Sequence, residues 1–578
     1  MSNNFSNEVS TSMKESDAGS SDEHNGVNVH PRMLNGSDYS STTGDDRTSL
    51  SSSNQSINTE VVQSIHDEEN PHLILSRSIS RNITQSSKIL KEATESVVPV
   101  PSMGGGRDHP PSLYDIDQYV VIFDDNDPLD PIKWPLKRKF INCIATLCSP
   151  LTVQFGSAFL ADSLPHISKL YGVNNIVATL ATSLFIFGFA AGPVIWGPLS
   201  ELYGRRPILL LSAFGYICFA FAAATSKDIQ TLMLTRFFCG FIGGASAVVA
   251  PSSMADLFIR KDRGKSVIAF GMIIFCGPMI SPIMAGFLAE DKRLSWRWPL
   301  YLTGFGITLA FTIMVFFMKE THSPTILVKK AELIRRKTGN KAVHAAHEEV
   351  SLSVSEIIRY NILRPLKMLI TEPILFLMSL YNSFMYGIMY LLLTAIPIAF
   401  KGNYKFSTGI SNLPYIATIV GVLMGGLILL YFDIRLSKKA IVIPEDRIPP
   451  MFIGSFLFPL GMFWFGWTAD YPEKIHWIVP AIGTAFLGAG LVTIFLPCLT
   501  YILDAYISVS ASALASNAFL RSSFGGAFPL FAKVMFKALS LKWGTTLLGG
   551  FSILLIPVPF IFFRYGERIR SKTKYHID

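Results

Sequence analysis

The run Gly197-Pro-Leu-Ser-Glu-Leu-Tyr-Gly-Arg-Arg-Pro207 lies between two long apolar segments, near 174–196 and 207–224. A soluble protein has little reason to place a carboxylate and two arginines so tightly between two apolar helices. Each segment is about 20 residues long, which is enough for a helix to cross a bilayer core of roughly 30 Å. The run therefore predicts a polytopic membrane protein in which it forms a short turn between two spans.

The composition of the whole chain agrees with a membrane protein. Of its 578 residues, 49% are hydrophobic and only 16% are charged, whereas a soluble protein usually carries about 25% charge. All six cysteines lie in apolar segments without metal-ligand spacing, so we expect neither disulfides nor a metal site. The sequence contains no P-loop. We therefore expect no ATP-driven pump, no enzyme, no cofactor and no nucleic-acid partner.

Apolar stretches recur from residue 139 onward, in two groups of six. We place spans 1–12 near 139–161, 174–196, 207–224, 230–254, 266–288, 299–318, 373–397, 410–432, 449–468, 475–500, 511–536 and 544–563. Two similar groups indicate pseudo-symmetric halves with a site between them at the membrane midplane. The sequence thus predicts an all-α membrane protein of twelve transmembrane helices in two six-helix bundles.

The remaining residues form tails and loops. The N-terminal tail is rich in Ser, Asn, Asp and Glu, so it cannot bury enough apolar surface to offset its ordering entropy. Within it, Ser80 follows a basic residue, and both a kinase site and a plain solvated tail remain open. The expected regions are a disordered cytoplasmic tail 1–110, a juxtamembrane segment 111–138, an N-terminal bundle 139–318, a cytoplasmic central loop 319–372, a C-terminal bundle 373–563 and a cytoplasmic C-terminal tail 564–578.

The distribution of Lys and Arg gives the orientation. These residues crowd the segment before span 1, the central loop and the segment after span 12. Cytoplasmic loops carry an excess of Lys and Arg, so all three regions are expected on the cytoplasmic side. An even number of spans places both termini on that same side.

The order of residues in 197–207 resembles the loop between the second and third spans of major facilitator superfamily transporters. Their pattern is Gly, a small or apolar pair, an acid and then Gly-Arg-Arg. The resemblance implies a conformational latch that contacts neighbouring helix ends, whereas charge and position alone are also explained by a turn with stop-transfer charge. The expected latch residues are Gly197, Glu201, Gly204, Arg205 and Arg206.

Span 5 contains a run of Gly and Pro that would bend the helix and thin one of its faces. It looks like the Gly-Pro signature of superfamily antiporters, which favours export over uptake. One departure is Ser281-Pro282, where a Gly is often seen. A packed, bent helix without a transport role is the alternative. The residues concerned are Gly271, Gly277, Pro278, Pro282 and Gly286.

Further segments resemble the fungal twelve-span branch of drug:proton antiporters, which includes the yeast polyamine and multidrug exporters. They are Asp127–Pro135 before span 1, with Lys133 where Asn is usual, Trp296-Arg-Trp298, Glu320-Thr321 and Asn517–Pro529. The resemblance covers about residues 124–568. It implies a plasma membrane location, with the vacuolar membrane left open because no sorting signal is legible.

Proton coupling needs a group whose protonation follows the conformation. Arg236 lies inside apolar span 4 and resembles the superfamily arginine that is linked to proton coupling, although a snorkelling arginine would explain the position too. No Asp or Glu lies clearly at midplane. The best available carboxylates are Asp162, near the outer end of span 1, and Asp504, near the inner end of span 10.

Spans 7 and 11 carry polar residues that are expected in a substrate cavity. Arg521 lies about ten residues into span 11, roughly 15 Å deep, where a lipid-facing arginine would be costly. Span 7 offers an aromatic and amide face that suits cationic or amphipathic guests, or else an aromatic packing stripe. The expected cavity residues are Arg521, Asn517, Tyr381, Asn382, Tyr386 and Tyr390.

Together these features predict a proton-coupled secondary exporter of drugs or polyamines that works by alternating access. Its partners would be a small cationic or amphipathic substrate, protons and the lipid bilayer. A polycation exporter would want a carboxylate in its cavity, so drugs are favoured over polyamines. A nutrient uptake symporter and a non-transporting membrane sensor remain as alternatives.

Overall fold

The computed structural model describes residues 102–104, 119–259, 263–291, 293–349, 363–439, 442–506 and 509–571. The regular segments within these ranges are helical, apart from one isolated parallel bridge between Val120 and His344. The expected tail 1–110, including Ser80, lies outside the described residues except for 102–104. The predicted all-helical fold is confirmed.

The long helices follow the predicted spans. Spans 1–6 are Leu136–Ala158, Asn175–Tyr203, Arg205–Ala224, Ile229–Ala255, Arg263–Glu290 and Trp298–Phe317. Spans 7–10 are Pro373–Pro397, Tyr415–Leu436, Pro449–Ala469 and Ile478–Ala505. Spans 11 and 12 form Ser510–Leu555, which is broken at Ser540, and the last helix continues as Pro557–Arg570.

The break at Ser540 decides the number of crossings. Eleven stretches of the described residues are long and apolar enough to span a membrane, and the last of them, Ser512–Arg570, holds 59 residues. A straight helix of that length would measure about 90 Å, roughly three times the bilayer core. At Ser540 the backbone adopts φ 62°, so the chain turns back there. The stretch therefore makes two crossings, and the predicted total of twelve is confirmed.

Shorter helices connect the spans. They are Pro131–Lys133, Ala161–Ser163, Leu164–Leu170, Ser323–Thr338, Ala346–Glu349, Arg364–Thr371, Ile398–Asn403, Ile410–Asn412 and Pro444–Arg447. The central loop is thus partly helical. Lys330 on Ser323–Thr338 forms a buried ion pair with Asp127 at 2.7 Å, which joins the central loop to the juxtamembrane segment.

The two halves meet along two pairs of spans: span 2 packs on span 11, and span 5 packs on span 8. Glycines make these contacts close. A Cβ atom added to Gly271 of span 5 would lie 2.3 Å from Leu496 of span 10. One added to Gly526 of span 11 would lie 2.9 Å from the ring of Phe187. Small residues at helix interfaces let the backbones approach, as is usual in membranes.

Spans 2 and 4 also pack backbone to backbone inside the N-terminal half. A Cβ added to Gly240 of span 4 would lie 1.8 Å from the carbonyl oxygen of Phe185 in span 2. Gly188 and Gly192 of span 2 approach the carbonyl oxygens of span 4 in the same way. Gly240 of span 4 therefore serves close helix packing.

We expect Gly240→Ala to destabilise the protein, because its new methyl group would push spans 2 and 4 apart at a backbone contact. Overpacking of this kind costs about 1–3 kcal/mol, which thermal unfolding of the detergent-solubilised protein would show as a lower Tm. Gly550→Ala is the matched control, since nothing lies within 4 Å of its added Cβ. Equal Tm values for the two variants would contradict the prediction.

Candidate functional site

The expected latch is a one-residue turn. Span 2 continues as a helix to Tyr203, and span 3 begins at Arg205, so only Gly204 lies between them. Its φ of 97° is one that residues with a side chain rarely adopt. An added Cβ would also lie 2.6 Å from Oε2 of Glu320. Most of the predicted loop is therefore helical, because Gly204 alone makes the turn.

Glu320 fastens the end of span 6 to the start of span 3. Its carboxylate accepts the backbone N–H groups of Arg205 at 2.9 Å and Arg206 at 3.1 Å. It also accepts those of Thr321 and His322, both at 3.0 Å. The first N–H groups of a helix have no intrahelical partner, and the positive end of the helix dipole favours an anion. This role was missed from the sequence, because Glu320 lies 115 residues from Arg205.

The guanidinium of Arg205 reaches the end of span 4. Its Nε donates to Oδ2 of Asp256 at 3.2 Å, and its NH1 donates to the hydroxyl of Ser200 at 2.7 Å. That hydroxyl donates in turn to the carbonyl of Gly197 at 2.7 Å. Glu201 is exposed and forms no ion pair with the described residues. The carboxylates next to the latch arginine are therefore Asp256 and Glu320, and Glu201 is apart from them.

Arg206, the second latch arginine, points toward span 6. Its NH2 donates to the carbonyl of Val315 at 2.9 Å, close to the end of that span. The two neighbouring arginines thus tie the start of span 3 to two different helix ends.

The C-terminal half contains an ion pair like that of Arg205 and Asp256. Arg447, just before span 9, donates to Asp504 at the end of span 10 at 2.9 Å and lies 3.7 Å from Asp433. Spans 9 and 10 correspond to spans 3 and 4 in the duplicated halves, so Arg447 and Asp504 repeat Arg205 and Asp256. Asp504, a predicted proton-coupling residue, therefore lies in an ion pair with Arg447.

Part of the central loop lies against the latch. The His347 Nε2 atom lies 3.3 Å from the carbonyl oxygen of Leu202. The ring of His322 is 5.8 Å from that of His347 and lies close to Arg205. Burial lowers the pKa of His322 to about 4, helped by the positive charges of Arg205 and His347. His322 is therefore neutral near pH 7, so it adds no cation beside Arg205.

Arg236 is buried at the core of the N-terminal half, with 1% of its surface exposed. Its Nε, NH1 and NH2 atoms donate to the backbone carbonyls of Ala181, Gly156 and Ser157 at 3.1, 3.1 and 3.3 Å. The guanidinium also lies over the ring of Phe185, 4.5 Å from its centroid. Such a buried group does not snorkel. Carbonyl dipoles of spans 1 and 2 take the place of a carboxylate partner.

A row of side chains links this arginine to the other half. The hydroxyl of Ser157 lies 3.0 Å from that of Tyr390 in span 7. The rings of Tyr390 and Tyr386 are 5.2 Å apart, and the guanidinium of Arg521 lies 5.1 Å from the Tyr386 centroid. Two buried guanidinium groups are thus connected across the interface between the halves.

Polar residues of spans 7 and 11 meet between these two helices. Asn382 donates to Asn517 at 3.2 Å, and Asn517 donates to the hydroxyl of Ser379 at 3.2 Å. Asn517 therefore bonds to span 7. The Nε of Arg521 and the hydroxyl of Tyr381 are buried without a hydrogen-bond partner. Buried polar atoms of this kind are unusual and favour a site that binds a ligand or water.

The Gly-Pro residues of span 5 face both halves. A Cβ added to Gly277 would lie 2.8 Å from Gln154 of span 1, and one added to Gly286 would lie 2.5 Å from Asn412 near span 8. The carbonyl of Pro282 accepts the Asn412 amide at 2.8 Å. Pro278 and Pro282 lie inside the helix. The thin face of span 5 therefore reaches the interface between the halves.

Further hydrogen bonds join the two halves near Asp162 and Glu290. The Oδ2 atom of Asp162 accepts the Asn412 amide at 2.7 Å. Glu290 accepts the backbone N–H of Gly409 at 2.9 Å and the hydroxyl of Ser407 at 3.1 Å. Among the described residues, no group of three or more His, Cys, Asp or Glu could hold a metal ion.

Residues 146–529 match the family model of the Major Facilitator Superfamily. The chain belongs to this superfamily. It is 49% identical over 507 residues to the major facilitator superfamily multidrug transporter FLU1 of Candida albicans, covering 87% of this chain and 83% of that protein. It is 48% identical over 479 residues to the multidrug transporter TPO1_1 of Candida glabrata, covering 82% and 84%. The resemblance drawn from the sequence is thus confirmed.

Solved structures agree on the superfamily fold. The E. coli proton:xylose symporter XylE aligns with a TM-score of 0.55 at 18% identity, covering 75% of this chain and 96% of XylE. At that identity the likeness shows the fold alone. Membership of a superfamily of transporters also confirms the prediction that the chain is not an enzyme.

We expect Glu320→Ala to lower the free energy of unfolding of the protein by about 1–2 kcal/mol, because the loss of a helix cap has a cost of this size. It would leave the N–H groups of Arg205 and Arg206 without an acceptor. Glu201→Ala removes the same side chain from an exposed position and should change stability by less than about 0.5 kcal/mol. Thermal unfolding of both variants in one detergent measures the difference, and a larger loss at Glu201 would refute the assigned roles.

Proposed function

We propose that this transporter is a proton-coupled secondary exporter of amphipathic drugs and other xenobiotics, which works by alternating access in the plasma membrane. The Candida relatives that carry the name multidrug transporter support the substrate class. The antiporter-like Gly-Pro run of span 5 supports the direction. The observation that carries the proposal is the group of side chains around Arg521, Tyr381, Tyr386 and Tyr390, which we call the central layer. In it, polar atoms without hydrogen-bond partners lie among aromatic rings between the two halves.

The central layer has the chemistry of a broad-specificity site. Arg521 lies against the rings of Tyr386 and Phe495, at 5.1 and 5.2 Å from their centroids. Aromatic faces accept many flat apolar groups, while a few polar atoms orient the guest. Substrate would replace the cross-half contact between Ser157 and Tyr390. The layer is closed in this structure, so binding requires the halves to separate.

Contacts on both sides of this layer support alternating access. The outer side is held by the Asp162–Asn412 and Glu290–Gly409 hydrogen bonds. On the inner side, a Cβ added to Gly264 of span 5 would lie 2.0 Å from Oδ1 of Asp433 in span 8. The two sets lie on opposite sides of the centre, so rocking of the halves would break one set while it keeps the other.

Asp162 is the better of the two candidate proton carriers. Its hydrogen-bond partner Asn412 belongs to the other half, so opening of the outer side would remove the partner and expose the carboxylate. Its protonation would thereby follow the conformation, as coupling requires. Asp504 instead pairs with Arg447 inside one half. Arg236 would act as a fixed charge that transmits the change through Ser157 to span 7.

The charge of the centre bears on the substrate. Arg236 and Arg521 bring two buried guanidinium groups to the interior between the spans, while the Asp and Glu residues of the spans lie near the span ends. A polyamine carries several positive charges and would meet this centre without a carboxylate partner. Amphipathic drugs with one charge or none fit better, so polyamine export is the less favoured form of the proposal.

Transport by the purified full-length protein in proteoliposomes tests the function. Rhodamine 6G, an amphipathic dye, should accumulate in vesicles with an acidic lumen, because protons would leave in exchange. An uncoupler should abolish this accumulation, and added ATP should have no effect. Dye accumulation in the direction of proton flow would instead indicate a symporter. The absence of any flux would indicate a sensor. Preferential flux of labelled spermidine would indicate a polyamine exporter.

We expect Asp162→Asn to abolish gradient-driven accumulation of rhodamine 6G while the exchange of internal for external dye persists, because the carrier still rocks but no longer moves protons. Asp504→Asn is the matched substitution. It should weaken the cytoplasmic ion pair and slow both kinds of flux alike. If Asp504→Asn alone uncoupled transport from the gradient, the assignment of Asp162 would be wrong.

A further inference from the structure

A groove opens between the cytoplasmic ends of spans 1 and 6. It encloses about 690 Å³, including its open mouth. Its wall combines three cationic residues, one amide and exposed aromatic rings. The residues that matter here are Lys137, Arg138, Asn142, Phe316, Phe317 and Lys319.

The cations of the groove have no carboxylate partner among the described residues. Lys137 and Lys319 are exposed at its rim. The guanidinium of Arg138 lies over Trp134, 3.8 Å from the ring centroid. Its Nε atom is buried and makes no hydrogen bond. Positive charges are therefore concentrated here without an anion to neutralise them.

Asn142 adds a buried donor to these charges. Its side chain is 1% exposed, and its Oδ1 atom accepts the backbone N–H of Lys319 at 2.6 Å. That bond fixes the orientation of the amide, so the Nδ2 atom must be the group left over. Nδ2 is buried and has no partner. A donor held in place without an acceptor favours an anionic or carbonyl ligand in the groove.

The rest of the groove is apolar and faces the bilayer. Phe316 and Phe317, at the end of span 6, are 74% and 55% exposed. They lie on the membrane side of the cations, next to Lys319 in the chain. A ligand that satisfies both parts therefore needs an anionic head and an apolar tail that runs along the two rings.

We propose that this groove binds an anionic phospholipid of the cytoplasmic leaflet. Its phosphate lies among Lys137, Arg138, Lys319 and the Asn142 amide, and one acyl chain lies along Phe316 and Phe317. Basic pockets between helices on the cytoplasmic side suit such head groups. Since Lys319 directly precedes Glu320, the bound lipid holds the end of span 6 beside the cap of span 3.

Native mass spectrometry of the detergent-solubilised full-length protein tests the site. The protein is titrated with dioleoyl phosphatidylserine or with dioleoyl phosphatidylcholine, which has the same chains and no net charge. The wild-type protein should bind phosphatidylserine in preference to phosphatidylcholine. Lys137→Gln combined with Lys319→Gln should lower the phosphatidylserine affinity about tenfold or more, since each cation near a lipid surface contributes appreciably.

The matched control removes two other exposed cytoplasmic cations, by Lys438→Gln combined with Arg564→Gln. It should keep the preference, because the lost charge is the same but lies away from the groove. Both lysines of the groove are exposed, so their loss should leave Tm unchanged. Arg138→Gln is a second variant and should reduce binding as well.

Three outcomes would overturn the proposal. The first is equal binding of the two lipids. The second is an equal loss of phosphatidylserine binding in the groove and control variants. The third is displacement of phosphatidylserine by excess inorganic phosphate, which would show that the groove takes a free anion and makes no use of the acyl chain. None of these outcomes bears on the drug flux in proteoliposomes, so the two proposals fail independently.

Discussion

The buried guanidinium of Arg236 is the interaction on which the arrangement of the helices depends. The bilayer core offers no water, so its donors have to be satisfied by protein groups. Backbone carbonyls of Ala181, Gly156 and Ser157 do this, and they belong to spans 1 and 2. The hydrogen bonds that offset the cost of burying this charge therefore also hold spans 1, 2 and 4 together. Because Ser157 also contacts Tyr390, the same fixed point reaches the second half.

The duplication of the halves is one of chemistry as well as of hydropathy. In each half, an arginine at the start of the third helix pairs with an aspartate at the end of the fourth: Arg205 with Asp256, and Arg447 with Asp504. The halves differ in the contact that accompanies this pair. In the first half Glu320 caps a helix, whereas in the second half Arg570 pairs with Glu445 at 3.0 Å. The corresponding helix ends of the two halves are therefore held by different kinds of contact.

Hydropathy predicted twelve helices because a backbone that crosses a bilayer has to satisfy its own hydrogen bonds, as a helix does. The depth of Arg521 and the polar face of span 7 are likewise legible in the sequence, and their role in a cavity stays a prediction. The sequence does not show which groups bond to one another. Glu201 is only four residues from Arg205, yet the carboxylates that contact Arg205 are Asp256 and Glu320, from 51 and 115 residues away. Local spacing identifies groups that share a helix face, but packing between helices decides which of them bond.

The pair of central arginines has a consequence for the membrane itself. A transporter that opens toward each side in turn risks becoming a passive pore for small cations whenever both sides loosen together. Arg236 and Arg521 are both buried among the helices, and an arginine in a narrow passage repels protons and metal cations. Sodium, potassium and hydronium ions that entered between the halves would meet these two charges. The same arginines that are linked across the halves would thus also oppose a leak of small cations through the protein.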